Sequence, residues 1–61
     1  MKSRDLKKIL LQLGWWLKRE GANHEIWTNG IIDEPLPRHR EINERLARKI
    51  LKTALSGKRK E

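Results

Sequence analysis

The run HEIWTNGIIDEPLP, residues 24–37, holds the turn around which the chain is organised. Asn29-Gly30 separates two short segments rich in apolar residues, and a two-residue type I′ hairpin turn needs positive φ at both of its positions, which Asn and Gly tolerate. The sequence therefore predicts a hairpin in which Thr28 opposes Ile31 and Trp27 opposes Ile32. Successive side chains on a strand point to opposite faces. Trp27, Ile32 and Leu36 then share one face, and His24, Ile26, Thr28 and Ile31 share the other. The first set is larger and suits a core. The same register places Glu25 opposite Glu34 on the core side, an unfavourable like-charge pair unless both reach the rim. Pro35 and Pro37 cannot donate to a ladder, so the returning strand, residues 31–36, is expected at an edge or to end there.

Upstream, Trp15 and Leu17 alternate with Trp16, Lys18 and Glu20, which sends Trp15 and Leu17 into the core and leaves Trp16 on the open face. Gly21-Ala22 reads as the turn between this strand and residues 23–28. Before it, Leu6, Ile9, Leu10 and Leu13 recur at helical spacing over residues 3–13, with Ser3 as a cap, Asp5 near the positive dipole end and Gly14 as terminator. Downstream, Asn43 caps a helix over residues 44–55 whose apolar stripe is Leu46, Ala47, Ile50, Leu51, Ala54 and Leu55. The order helix, three antiparallel strands, helix implies an α+β fold with both helices on one face of a three-stranded sheet.

At 61 residues the chain is expected to form one domain, residues 1–61, with a frayed basic tail from about residue 56. It has no Cys, hence no disulfide framework and no thiolate nucleophile or ligand. No run approaches a membrane span and no signal peptide is evident, so a soluble, cytoplasmic protein is expected. The formal charge is +7 and is unevenly placed. Residues 1–14 and 37–61 carry the excess of Lys and Arg, while residues 15–36 are net acidic. Ends of this kind attract polyanions, nucleic acid above all.

Arg45, Arg48, Lys49 and Lys52 align on one side of the second helix. Such a row is either a solvated face or a phosphate-binding one, and its i,i+4 self-repulsion gives the second reading weight. Chemistry has few other carriers. Ser3, Ser56, Thr28 and Thr53 lack a base at a recognisable spacing, His24 and His39 have no carboxylate at a ligand interval, and Asp33 and Glu34 are adjacent on a strand and point apart. His24 is either an ordinary strand residue or an acid/base group, since imidazole exchanges protons at neutral pH and can take one from a ribose 2′-hydroxyl or give one to a leaving oxygen. Cleavage of RNA by that route requires no metal ion. His39, between Arg38 and Arg40, is a candidate for phosphate contact. Trp16 on the open face is either part of a partner surface or lies along neighbouring Lys stems.

The opening KSRDLKKIL, the pair Gly14-Trp15, the segments REGANH (19–24) and LPRH (36–39) and the closing LARKILKTAL resemble, in order and spacing, the HicA family of toxin ribonucleases from Met1 to about Leu55. The resemblance implies a double-stranded-RNA-binding-domain-like fold, α-β-β-β-α, an mRNA interferase activity without cofactor, and inhibition by a HicB-type antitoxin. It implies His24 as the catalytic residue. Ala22 and Asn23 stand where the family commonly has Gly and Ser, and Ala restricts positive φ. The RNA contacts then expected are Lys7, Lys8, Arg38, His39, Arg45, Arg48, Lys49 and Lys52, and the antitoxin contacts Trp16, His24, Ile26 and Ile31, with no metal ligands. The rival expectation is a non-catalytic RNA-binding module of the same fold.

Overall fold

The computed structural model describes residues 1–57; of the tail expected from about residue 56, Ser56 still belongs to a helix and residues 58–61 lie outside the described residues. The elements are α1 (Ser3–Gln12), β1 (Trp16–Glu20), β2 (His24–Thr28), β3 (Asp33–Pro37) and α2 (Glu44–Ser56). The strands form one antiparallel sheet in the order β1-β2-β3. Trp27 of β2 and Leu36 of β3 face the same side, where Leu6 and Leu10 of α1 and Ala47, Ile50 and Ala54 of α2 pack over them. Both helices thus cover one face, as the hydrophobic periodicity implied. Among the described residues no helix is long and apolar enough to cross a membrane.

The hairpin between β2 and β3 corrects the expected turn. Thr28 pairs with Asp33, not Ile31, and residues 29–32 form a four-residue loop. Among the described residues no non-glycine has positive φ, so Asn29 does not take the conformation a type I′ turn demands. Its side chain does other work: Oδ1 accepts from the Ile31 and Ile32 amides, both at 2.9 Å, which is the way Asn commonly closes a loop on itself. Thr28 Oγ1 donates to the Ile32 carbonyl at 2.8 Å and accepts from the Gly30 amide at 3.0 Å. A shift of two residues keeps every side chain on its predicted face. It also separates the two carboxylates, because Glu25 now opposes Leu36 and Glu34 opposes Trp27.

The first strand differs too. Trp15 is buried, but it precedes β1 and reaches the core as part of a helix ending. Gly14 takes φ +89°, the Trp15 amide donates to the Leu10 carbonyl and the Gly14 amide to that of Leu11. This is the glycine-terminated Schellman arrangement, with Trp15 and Leu10 as its apolar contact. Leu17 pairs with Trp27 on the helix-facing side yet is 38% exposed, because it sits on an edge strand beyond the reach of the core. A bulge at Lys18 then shifts the register, so Arg19 opposes Ile26 and Glu20 opposes Glu25, which moves Glu20 off the open face where strict alternation put it.

At the other ends the caps divide. Asn43 Oδ1 accepts from the Arg45 and Leu46 amides at 2.8 and 3.4 Å, as its position predicts. Ser3 does not cap α1. Lys2 holds the N-cap position without a side-chain bond, and the Ser3 amide donates to the Arg40 carbonyl. Helix α2 runs through Ser56 to a left-handed Gly57, with Leu55 70% exposed rather than in the apolar stripe. Asn29 Nδ2 donates to the Gly57 carbonyl at 3.2 Å, which ties the hairpin loop to the C-terminal end of α2.

Candidate active site

Both helices begin at one end of the sheet. Residues 1–3 run antiparallel to residues 40–42, through the Lys2–Glu41 bridge, the Ile42 amide on the Met1 carbonyl (2.7 Å) and the Ser3 amide on the Arg40 carbonyl (2.9 Å). The turn between β1 and β2 and the C-terminal end of β3 lie at this same end, since His24 pairs with Pro37. The positive dipole ends of α1 and α2 are therefore gathered there.

His24 is the first residue of β2 and is exposed. Strand parity puts it on the open face with Ile26 and, at the far end, Trp16, which pairs with Thr28. The His24 carbonyl accepts from the Gly21 amide at 2.6 Å and so closes the turn. No residue of that turn has positive φ, so Ala22 fits where the family commonly has Gly. The His24 ring makes no hydrogen bond to the described residues. Arg38 braces the turn from the other side: its amide donates to the Asn23 carbonyl (3.2 Å) and its Nη1 to that of Gly21 (3.3 Å).

Lys7, Arg38 and His39, expected as RNA contacts, come together in an open cleft of about 580 Å³. Lys2, Arg4 and Arg40 join them there, and sequence reasoning missed all three. The net charge of residues 1–14 was a signal for Lys2 and Arg4, and the place of Arg40 beside His39 was one for Arg40; what no local pattern showed is that the pairing of residues 1–3 with 40–42 brings these groups together. Lys8 does not line this cleft. The α2 row is divided. Arg48 lies 3.9 Å from Glu44, Arg45 and Lys52 are exposed, and Lys49 lines a second concavity near the hairpin loop with Trp16, Gly30 and Ile31.

Two carboxylates on the helix-facing side have opposite electrostatics. Burial by itself raises the Glu25 carboxyl, but hydrogen bonds from Trp27 Nε1 (3.1 Å) and Lys7 Nζ (3.0 Å), with the charges of Lys7 and Arg38, hold it below the ordinary carboxylate value. Glu34 is pushed up by burial, which the charge of Lys49 only partly offsets. Among the described residues no three of His, Cys, Asp and Glu cluster as metal ligands.

Fold and site together define a small α-β-β-β-α domain, consistent with double-stranded-RNA-binding-domain topology, that gathers cations and an exposed imidazole at one end. The family model described as the HicA toxin of bacterial toxin-antitoxin systems matches residues 3–55, and the chain belongs to that family. Members of the family are generally mRNA interferases. Neither curated proteins nor solved structures give a match.

Proposed function

We propose that this chain is an endoribonuclease that cleaves mRNA with His24 as general acid/base, and that a HicB-type antitoxin silences it by covering His24. The observation that carries the reading is the exposed His24 ring, free of hydrogen bonds to the described residues and set beside the turn that Arg38 braces. The imidazole takes the proton of a ribose 2′-hydroxyl as that oxygen attacks phosphorus, or protonates the departing 5′ oxygen. Arg38 has guanidinium donors to spare for the charge that builds on the phosphate oxygens. Such chemistry needs no metal ion, and membership of a toxin family supports RNA as the target.

The test is incubation of the chain with RNA in excess chelator, beside His24→Ala. Cleavage by the unaltered chain and a loss of about 100-fold or more in the variant are expected. RNA binding without cleavage by either protein would instead make the chain a binding module.

A further inference from the structure

We propose that the cleft between the first turn of α1 and residues 38–40 binds the sugar-phosphate backbone of a single-stranded RNA and leads it to His24, in preference to the basic row on α2. The identity of the polyanion rests on the ribonuclease reading above; the location rests on the arrangement of charge. Lys7 is already engaged with Glu25 at 3.0 Å. Arg4 Nε makes only an exposed approach of 4.0 Å to Asp5 Oδ1, and Lys2, Arg38 and Arg40 form no ion pair with a carboxylate among the described residues, so these four, with His39 among them, can serve a ligand. The Arg4 amide, in the first turn of α1, has no partner among the described residues and adds a backbone donor at a helix N-terminus.

Among the described residues no apolar side chain lines the cleft; besides the cations its lining holds Ser3 and Glu25, whose charge Lys7 meets. A protein partner seeks an apolar centre with a polar rim, and this molecule offers its apolar surface elsewhere, at Trp16 and Ile31 on and beside the open sheet face. A cleft of cations without apolar lining suits phosphates, whose binding is dominated by charge. Continuity with His24 follows from Arg38. It borders the cleft while its guanidinium holds the Gly21 carbonyl, and the Gly21 amide in turn holds the carbonyl of His24. Arg38 thus stands between the cleft, which reaches Glu25 on the helix-facing side, and the turn that carries His24 toward the open face, and an RNA strand would have to round the end of the sheet at Arg38 to meet the imidazole. The C-terminal half of α2, with Lys49 and Lys52, lies instead toward the hairpin loop, to which Asn29 ties Gly57.

The experiment measures binding of a 5′-labelled single-stranded RNA oligonucleotide of mixed sequence by fluorescence anisotropy across a salt series. The His24→Ala background keeps the probe intact. Lys2→Glu/Arg4→Glu is compared with Arg45→Glu/Lys52→Glu, which changes net charge equally, and Lys2→Gln/Arg4→Gln serves should the reversal disturb folding. Each lost phosphate contact reduces the slope of log K against log salt by about 0.7 for a single strand. The cleft variants are expected to lose about 1.4 of slope and roughly 10- to 30-fold in affinity at 0.1 M salt, while the α2 variant keeps the parental slope. Equal losses in both doubles, or an unchanged slope in the cleft variants, would overturn the proposal, as would a cleft variant that binds RNA normally and loses only the antitoxin. The two readings fail separately. A chain that binds with the expected slope dependence and cuts nothing defeats cleavage alone, whereas a cutting chain whose binding ignores the cleft defeats this inference alone.

Discussion

Lys7 Nζ of α1 and Glu25 Oε1 of β2 lie 3.0 Å apart, and the same carboxylate oxygen accepts from the Trp27 indole at 3.1 Å. Helix, sheet and the largest core side chain of the hairpin are thus joined at one acidic group beside the basic cleft. With only one in eight parts of its side-chain surface exposed, Glu25 is screened less than a surface partner.

Its depressed native value fixes the sign of a pH effect. A carboxyl whose native value lies below the unfolded one stabilises the fold above the unfolded value, and that stability is lost as pH falls through the native one. Glu25→Gln keeps an acceptor for Trp27 but removes the charge facing Lys7. The variant should be less stable by about 1–2 kcal/mol at pH 7, and the gap should close on acidification through and below the usual carboxylate range. Urea titrations from pH 7 to pH 3 check this; a gap that stays constant with pH would disprove it.

Glu34 should behave in the opposite sense. Burial raises its native value, so ionisation opposes folding as pH rises through the usual carboxylate value toward the raised one. Glu34→Gln removes that cost while keeping the shape. The expected result is a melting temperature a few degrees higher at pH 7 and no gain below the usual carboxylate value. A destabilised variant at pH 7 would mean that the attraction between Glu34 and Lys49 outweighs burial.

Gly21 provides a test of the site that does not touch the imidazole. A Cβ built there meets the His24 carbonyl oxygen at 3.0 Å, and that oxygen is backbone, unable to swing aside. Gly21→Ala should therefore shift the start of β2. RNA cleavage should fall by about tenfold or more, as happens when a reacting group is displaced by a fraction of an ångström, with the helices retained by circular dichroism. Unimpaired cleavage would show that the turn does not set the position of His24.

The pairing of face with face was legible because it depends only on the two-residue period of a strand. Trp27 and Leu36 go inward, and Trp16, His24 and Ile26 go outward, even though the hairpin register differs from the expected one by two residues. What failed were local groups with more than one possible partner. Asn29 used its side chain to close a longer loop instead of adopting positive φ, and α1 begins at Ser3 itself, with Lys2 and not Ser3 at the N-cap. Ile42, in a loop, enters the core with no periodicity to announce it. The cleft is the deeper case. Arg4 and Arg40 are far apart in sequence, and they share a site because residues 1–3 pair with residues 40–42, an association that no local pattern encodes.

Trp16 tests the proposed antitoxin surface. It is 48% exposed on the open face, and Ile31 beside the hairpin loop is 71% exposed, although the chain has only three Trp with which to build a core. Large aromatic side chains left partly exposed are the usual anchors of protein interfaces. Trp16→Ala should weaken the complex with a HicB-type antitoxin by about 2 kcal/mol or more, near 30-fold in Kd. Stability should fall by less, because the indole covers the surface near Gly30 and Thr28 without entering the core cluster. RNA cleavage should persist, since Trp16 lies at the opposite end of the open face from His24. Calorimetric titration of the antitoxin into both proteins gives the first quantity and a cleavage assay the second. An unchanged Kd would remove Trp16 from the interface, and a loss of cleavage with an intact fold would place it in the path of the RNA.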